Sequence, residues 1–346
     1  MVKERVHWLD NLKFLGIFYI YIGHLGAAAG KIYPFVFTFH VPLFFFISGL
    51  LFKKCVSVND FLGVAKTSFK RIIIPYIVFS AIGITVYAVK STLSTSVIID
   101  MIINAFYGIR NQVPITSLWF LPCLFVVIIY HSALQYVFKS KWVVFFVSFV
   151  LYQLKPYWGA SMPSVIFNVD SALYYLSFYS FGAALSSSII KDWISIESYN
   201  KKLICSIVIF SLALFYYSYQ YGAYTLINWI SSYQIKSALL FIITCALFIP
   251  SIALSCILNI DALRCLGRNS LVLCGTEQIL KVMVPTILLA FGIKIQIKDP
   301  LQAVLYTAIL MAISYFTIVK IYNSFSLSRR AKLAADANEK INSSSA

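Results

Sequence analysis

The chain has 346 residues, of which 60% are hydrophobic and 12% charged, with a formal net charge of +16. A soluble domain is about half apolar and about a quarter charged and rarely exposes large apolar patches, so a single soluble globule is excluded. Aromatic residues at 17% exclude a disordered chain, and basic residues scattered between apolar runs exclude a nucleic-acid binder.

A helix that crosses a bilayer needs about 20 apolar residues. Runs of that kind fall at roughly 9–29, 35–52, 72–89, 118–138, 142–154, 172–189, 203–221, 237–257, 269–291 and 301–322. The fold expected is all-α, a polytopic transmembrane helix bundle of about ten spans, because barrel strands would alternate polar and apolar residues. The first run lacks an A-x-A-like cleavage site after it, so no cleavable signal is expected. Connections are short apart from about 53–71, 90–117, 155–171 and 189–202.

Placing both termini in the cytoplasm puts eighteen of the Lys and Arg residues outside the spans on the cytoplasmic side and seven on the other. The expectation is a multi-pass protein of the cell inner (plasma) membrane, with residues 1–325 as its transmembrane domain. Residues 326–346 read as a polar, disordered cytoplasmic tail. No internal repeat of the transporter kind is visible. The seven cysteines are odd in number and lack a CxxC pair, so neither a disulfide framework nor a metal site is expected.

An ionisable side chain at mid-membrane costs about 2.5–3.5 kcal/mol, so each one asks for a reason. The first span holds Asp10, Lys13 and His24. Lys13 and His24 are eleven residues apart, about three helical turns, which puts them on nearly one face about 16 Å apart. Asp10 sits one turn before Lys13 and can pair with it, as a snorkelling boundary pair or as part of a site. In the second span, His40 and Ser48 are either packing or functional residues, and Pro42 is a first-turn residue or a kink. The 53–71 stretch carries Lys53, Lys54, Lys66, Lys70 and Arg71 against Asp60. It reads as a topology determinant, a contact for anionic membrane lipid, or a dock for a phosphorylated co-substrate. His131 and His7 read as interfacial. Glu277 and Lys281, an i,i+4 pair in the ninth span, read by default as a structural ion pair.

Five segments occur in a fixed order. They are Arg5-x-x-Trp8-Leu9-Asp10-Asn11-Leu12-Lys13 followed by His24, then Phe39-His40-Val41-Pro42-Leu43-Phe44-Phe45-Phe46-Ile47-Ser48-Gly49. After these come Arg71-x-x-x-Pro75-Tyr76, Trp119-Phe120-Leu121 and Leu266-Gly267-Arg268-Asn269-Ser270-Leu271. Together they resemble the acyltransferase-3 membrane family over residues 5 to about 322, in particular its fucose 4-O-acetylase-like and O-antigen O-acetyltransferase members. Lys13 and His24 look like that family's basic-x10-His signature. The chain departs from the family in having Lys13 for the commoner Arg and Val41 for Met. Glu277 stands near a frequent His, and no R-x-x-R occurs in the basic stretch. No appended periplasmic SGNH-type domain is expected.

The resemblance implies transfer of an acetyl group from acetyl-CoA, a co-substrate and not a bound cofactor, to a sugar hydroxyl of a cell-surface or lipid-linked glycan. His24 is then the candidate general base, with acetyl-His as the competing covalent chemistry. Lys13 and Asp10 join His24 in the catalytic group, Lys13 to bind a phosphate or carbonyl of the donor, and Lys53, Lys66, Lys70 and Arg71 would bind acyl-CoA phosphates. His40, Ser48, Trp119 and Glu277 fall in an acceptor-binding or supporting role; Trp119 is a sugar platform or an interfacial anchor. The rival function is a lipid-linked oligosaccharide flippase or small-solute transporter using Glu277, Lys281 and His24 as coupling groups. A non-catalytic scaffold would leave Lys13 and His24 without a purpose.

Overall fold

The computed structural model describes residues 6–154, 163–192, 201–258 and 260–324, with side chains at all of these except 187–192 and 201–204. Lys3, Arg5, Lys155, Arg329, Arg330, Lys332, Lys340 and the tail 326–346 lie outside the described residues, as do the side chains of Lys191, Lys201 and Lys202. All regular structure among the described residues is helical. Ile32–Leu50, Val58–Ser91, Thr116–Phe138, Tyr233–Ile257, Ser270–Ala290 and Pro300–Ser324 are long and apolar enough to cross a bilayer. His7–Gly23, with 17 residues, sits at the lower limit for a span, and Lys141–Gln153 has 13. Phe146, Ile209, Phe210 and Phe316 on the outer faces are 61–67% exposed, a surface that lipid solvates and water does not. This is a multi-pass membrane protein.

The His7–Gly23 helix is the hub, packed against His40–Leu50, Phe248–Ile257, Asp261–Arg268, Ser270–Ala290 and Pro300–Ser314. Apolar burial gives little drive between helices in lipid, so close backbone approach and polar contacts matter more. A Cβ on Gly267 would overlap the Asp10 carbonyl, one on Gly49 the Tyr179 carbonyl, and one on Gly182 the Phe46 carbonyl. Asn11, 1% exposed, donates from Nδ2 to the carbonyls of Ser255 (2.9 Å) and Leu258 (2.7 Å), which the end of the Phe248–Ile257 helix leaves without intrahelical partners. Asn269 Nδ2 likewise donates to the Cys265 carbonyl at 2.8 Å and closes Asp261–Arg268. Motif residues Asn11, Gly49 and Gly267 therefore hold helices together, and Asn269 ends one.

Gly49→Ala is expected to cost about 1–3 kcal/mol by overpacking. Gly63→Ala, in open space within the Val58–Ser68 helix, should be neutral or slightly stabilising. Melting temperatures of the two detergent-purified variants check this; equal melting would remove the close-packing argument.

The structure corrects several sequence expectations. The first helix ends at Gly23 and not near 29, because the chain turns through Gly26 and Gly30, both at positive φ (62° and 55°). His24 is consequently the residue just past the helix end. The second run breaks at Phe39 (φ −139°), since Pro42 within a continuous helix would leave the Thr38 carbonyl unpaired. The break puts Pro42 in a first turn, and His40 Nδ1 donates to the Val36 carbonyl at 2.6 Å.

The 53–71 stretch is largely helical, not a loop. Ser57 and Asp60 form a reciprocal capping box, and the helix then runs through a π-turn at Phe69–Ile73 into Ile74–Ser91. Pro75 explains the π-turn: it has no N–H for the Arg71 carbonyl four residues back, and its ring crowds that carbonyl. The 90–117 connection contains a helix, Thr95–Tyr107, whose 13 residues fall short of a span. His131 faces the inside of the bundle: it is 1% exposed, with Nδ1 3.0 Å from Ser180 Oγ.

Candidate functional site

Two of the cavities along the hub helix are lined by cationic or imidazole side chains. The larger, about 570 Å³, is lined by His24 at the end of that helix and by His40, Arg110, Trp119, Tyr174 and Tyr175. The smaller, about 210 Å³, is lined by Lys13, Ser48 and Arg71 between walls that include Ile17, Ile20 and Phe44. Phe120 and Trp119, adjacent in sequence, each line one of the two. A narrow apolar slot with two cations thus lies beside a roomier polar chamber with an imidazole.

His24 is held by a partner 253 residues away. Its Nδ1 lies 2.9 Å from Glu277 Oε2, with the Glu277 side chain fully buried and the His24 side chain 17% exposed. A carboxylate only accepts, so Nδ1–H is the donor, and neutral His24 keeps its lone pair on Nε2, at the opposite edge of the ring. Lys281 Nζ is 2.5 Å from the second Glu277 oxygen, an ion pair, and also donates to the Tyr21 carbonyl at 2.8 Å. Two bonds fix the Ser270–Ala290 helix beside His24: Tyr21 hydroxyl to the Leu273 carbonyl (3.0 Å) and Ser117 hydroxyl to the Cys274 carbonyl (2.9 Å). The arrangement suits a general base whose tautomer and orientation are set from behind by a buried carboxylate.

The other residues singled out in the sequence divide between the cavities and the surface. Asp10, 4% exposed, is 3.8 Å from Lys13 Nζ. Ser48 and Arg71 join Lys13 at the smaller cavity, whereas Lys53, Lys66 and Lys70 are exposed and line neither. His40 and Trp119 border the larger cavity. Glu277 is set behind His24 and is not a lining residue.

Sequence reasoning missed Arg110, Asn168 and Tyr175. Asn168, fully buried, accepts at Oδ1 from the Arg110 N–H (2.7 Å) and donates from Nδ2 to the carbonyls of Gly108 (2.7 Å) and Trp119 (3.3 Å). Arg110 stacks over Trp119, 4.9 Å from the ring centroid. In the sequence Arg110 is one more basic residue of the 90–117 connection, and no motif marks it.

A family model described as an acyltransferase domain, Acyl_transf_3, matches residues 6–319. No curated protein and no solved structure matches the chain at a significant level. The matched region takes in both cavities and every residue of the His24–Glu277–Lys281 cluster, and the chain belongs to the acyltransferase-3 family of membrane acyltransferases.

Proposed function

We propose that this protein is an O-acetyltransferase of the inner membrane. It moves an acetyl group from cytosolic acetyl-CoA to a sugar hydroxyl of a cell-surface or lipid-linked glycan of the O-antigen or exopolysaccharide type. The observation that carries the reading is His24, bound through Nδ1 to buried Glu277 and lining a chamber beside the Lys13–Arg71 slot. Coupling groups of a flippase or transporter would account for the buried charges, but not for an acyltransferase domain over 6–319.

In this scheme the donor enters at the slot, where Lys13 and Arg71 take phosphate oxygens and the exposed Lys53, Lys66 and Lys70 draw the nucleotide in. The pantetheine arm follows the hub helix for about 16 Å to bring the thioester to His24. Ser48 shapes the slot, while His40 and Trp119 face the acceptor. His24 Nε2 takes the acceptor hydroxyl proton as that oxygen attacks the thioester carbonyl. The C–S bond then breaks, the ester forms, and the imidazolium returns its proton to the leaving thiolate. Glu277 stabilises the transient imidazolium and does not itself need to change protonation.

Lys13→Ala and Arg71→Ala should each raise KM for acetyl-CoA by about 10–100-fold, the range of a lost charge-assisted hydrogen bond, with KM for the glycan unchanged. Steady-state kinetics with each substrate varied checks this, and a shift confined to the glycan KM would move the donor away from the slot.

The proposed topology has ten spans with both termini and the 53–71 stretch cytoplasmic. A single cysteine at residue 60 in a cysteine-depleted chain should label only after the inner membrane is opened. Labelling from the periplasm of intact cells would reverse the orientation.

A further inference from the structure

We propose that Arg110 is an anion clamp for the acceptor: the glycan that occupies the larger cavity carries a carboxylate or a phosphate, and the Arg110 guanidinium holds it. The proposal rests on the acyl-transfer reading for the identity of that ligand as acceptor; the anion site itself follows from Arg110 and its surroundings.

Arg110 lines the same cavity as His24, among Asn111, Thr116, Ser171 and Tyr175, whose polar groups suit sugar hydroxyls. The guanidinium lies over Trp119, itself 6% exposed, and shares a hydrogen bond with the Tyr175 side chain, which holds it at the cavity wall with further N–H groups for an anion. Asn168 ties together the Arg110 backbone, the Gly108 turn and the Trp119 carbonyl, so the clamp is built before any ligand arrives.

The charge inventory is the second observation. Ion pairs among the described residues join Lys13 to Asp10, His24 and Lys281 to Glu277, and Arg264 to Asp261; Arg110 has none. Asp170, beside the lining residue Ser171, is occupied by the backbone and hydroxyl of Ser164 and by the Ser171 N–H. A half-buried guanidinium in a membrane-protein cavity ordinarily has a counter-charge, because leaving it without one is costly. A structural arginine would point its fork at a carboxylate or at helix-end carbonyls. Here the stacking and the Asn168 ties hold the group in place without neutralising it, which leaves an anionic ligand to do so.

The test is calorimetric titration of the full chain in phosphatidylcholine nanodiscs without any acyl donor. Two matched pairs serve as probes: methyl glucuronide against methyl glucoside, and farnesyl phosphate against farnesol. The anionic member of at least one pair should bind about 10–100-fold more tightly than its neutral twin, as a bidentate charged contact implies. Preference in the first pair identifies a sugar carboxylate as the anion, and preference in the second a lipid phosphate.

Arg110→Gln should abolish the preference, and Arg110→Lys, which keeps the charge but loses the fork, should retain part of it. Equal affinity or no binding in both pairs, or a preference unchanged in Arg110→Gln, would overturn the proposal. The wild-type comparison stands even if Arg110→Gln fails to fold. Because no donor is present, a failure here is separate from any failure of acetyl transfer.

Discussion

Replacing His24 with glutamine is expected to lower acetyl transfer per inserted molecule by about 10²–10⁴-fold, the usual worth of a positioned general base. Glutamine can still donate to the Glu277 carboxylate, so the buried contact at 2.9 Å has a substitute and insertion should be normal. What glutamine cannot do is take a proton from the acceptor hydroxyl. A structural histidine would behave in the opposite way, with glutamine tolerated and alanine failing through low abundance. Lys13→Arg is the control: it keeps a cation at the slot and should retain appreciable activity. Turnover by His24→Gln within a few-fold of wild type would remove His24 from the chemistry.

The second large effect is expected at Glu277. Glu277→Gln still offers an acceptor to His24 Nδ1–H but removes the charge that stabilises the imidazolium, so kcat should fall by about 10²–10³-fold with little change in either KM. It also leaves Lys281, 10% exposed, beside a neutral group, and breaking a buried ion pair from one side costs about 3–5 kcal/mol. Abundance of this variant should therefore drop. Adding Lys281→Met removes the stranded charge and should restore abundance without restoring kcat. Recovery of both together would make the carboxylate a packing element and not the positioning residue of His24.

The fold class was legible because apolar runs in a chain this poor in charge leave only a helical membrane bundle. Helix ends were less legible. The stop at Gly23, the break before His40 and the π-turn ahead of Pro75 follow from glycine and proline rules, yet a hydropathy window averages over all three. The Thr95–Tyr107 helix escaped because it is too short to register as a span.

Within the site, Lys13 and His24 stood out as charged or titratable groups in apolar sequence. Their separation on one helix placed them at two depths, and the structure puts them at two cavities. The pairing of His24 with Glu277 was invisible, since nothing local in sequence links residues 253 apart and Lys281 offered Glu277 a nearer partner. Arg110 was legible only as one more positive charge in a connection. Its setting depends on Asn168, 58 residues further on. Asn11 and Asn269 belong to motifs shared with a catalytic family, but their contacts are helix caps; motif membership alone did not separate chemistry from architecture.

The most direct test of the account is acetyl transfer by purified protein in proteoliposomes, supplied with acetyl-labelled acetyl-CoA and a lipid-linked glycan. The predicted result is label in a base-labile ester on the glycan, one free CoA thiol released per ester, and neither product above background with His24→Gln. Movement of the glycan lipid across the bilayer without CoA, and with no labelled ester formed, would contradict it.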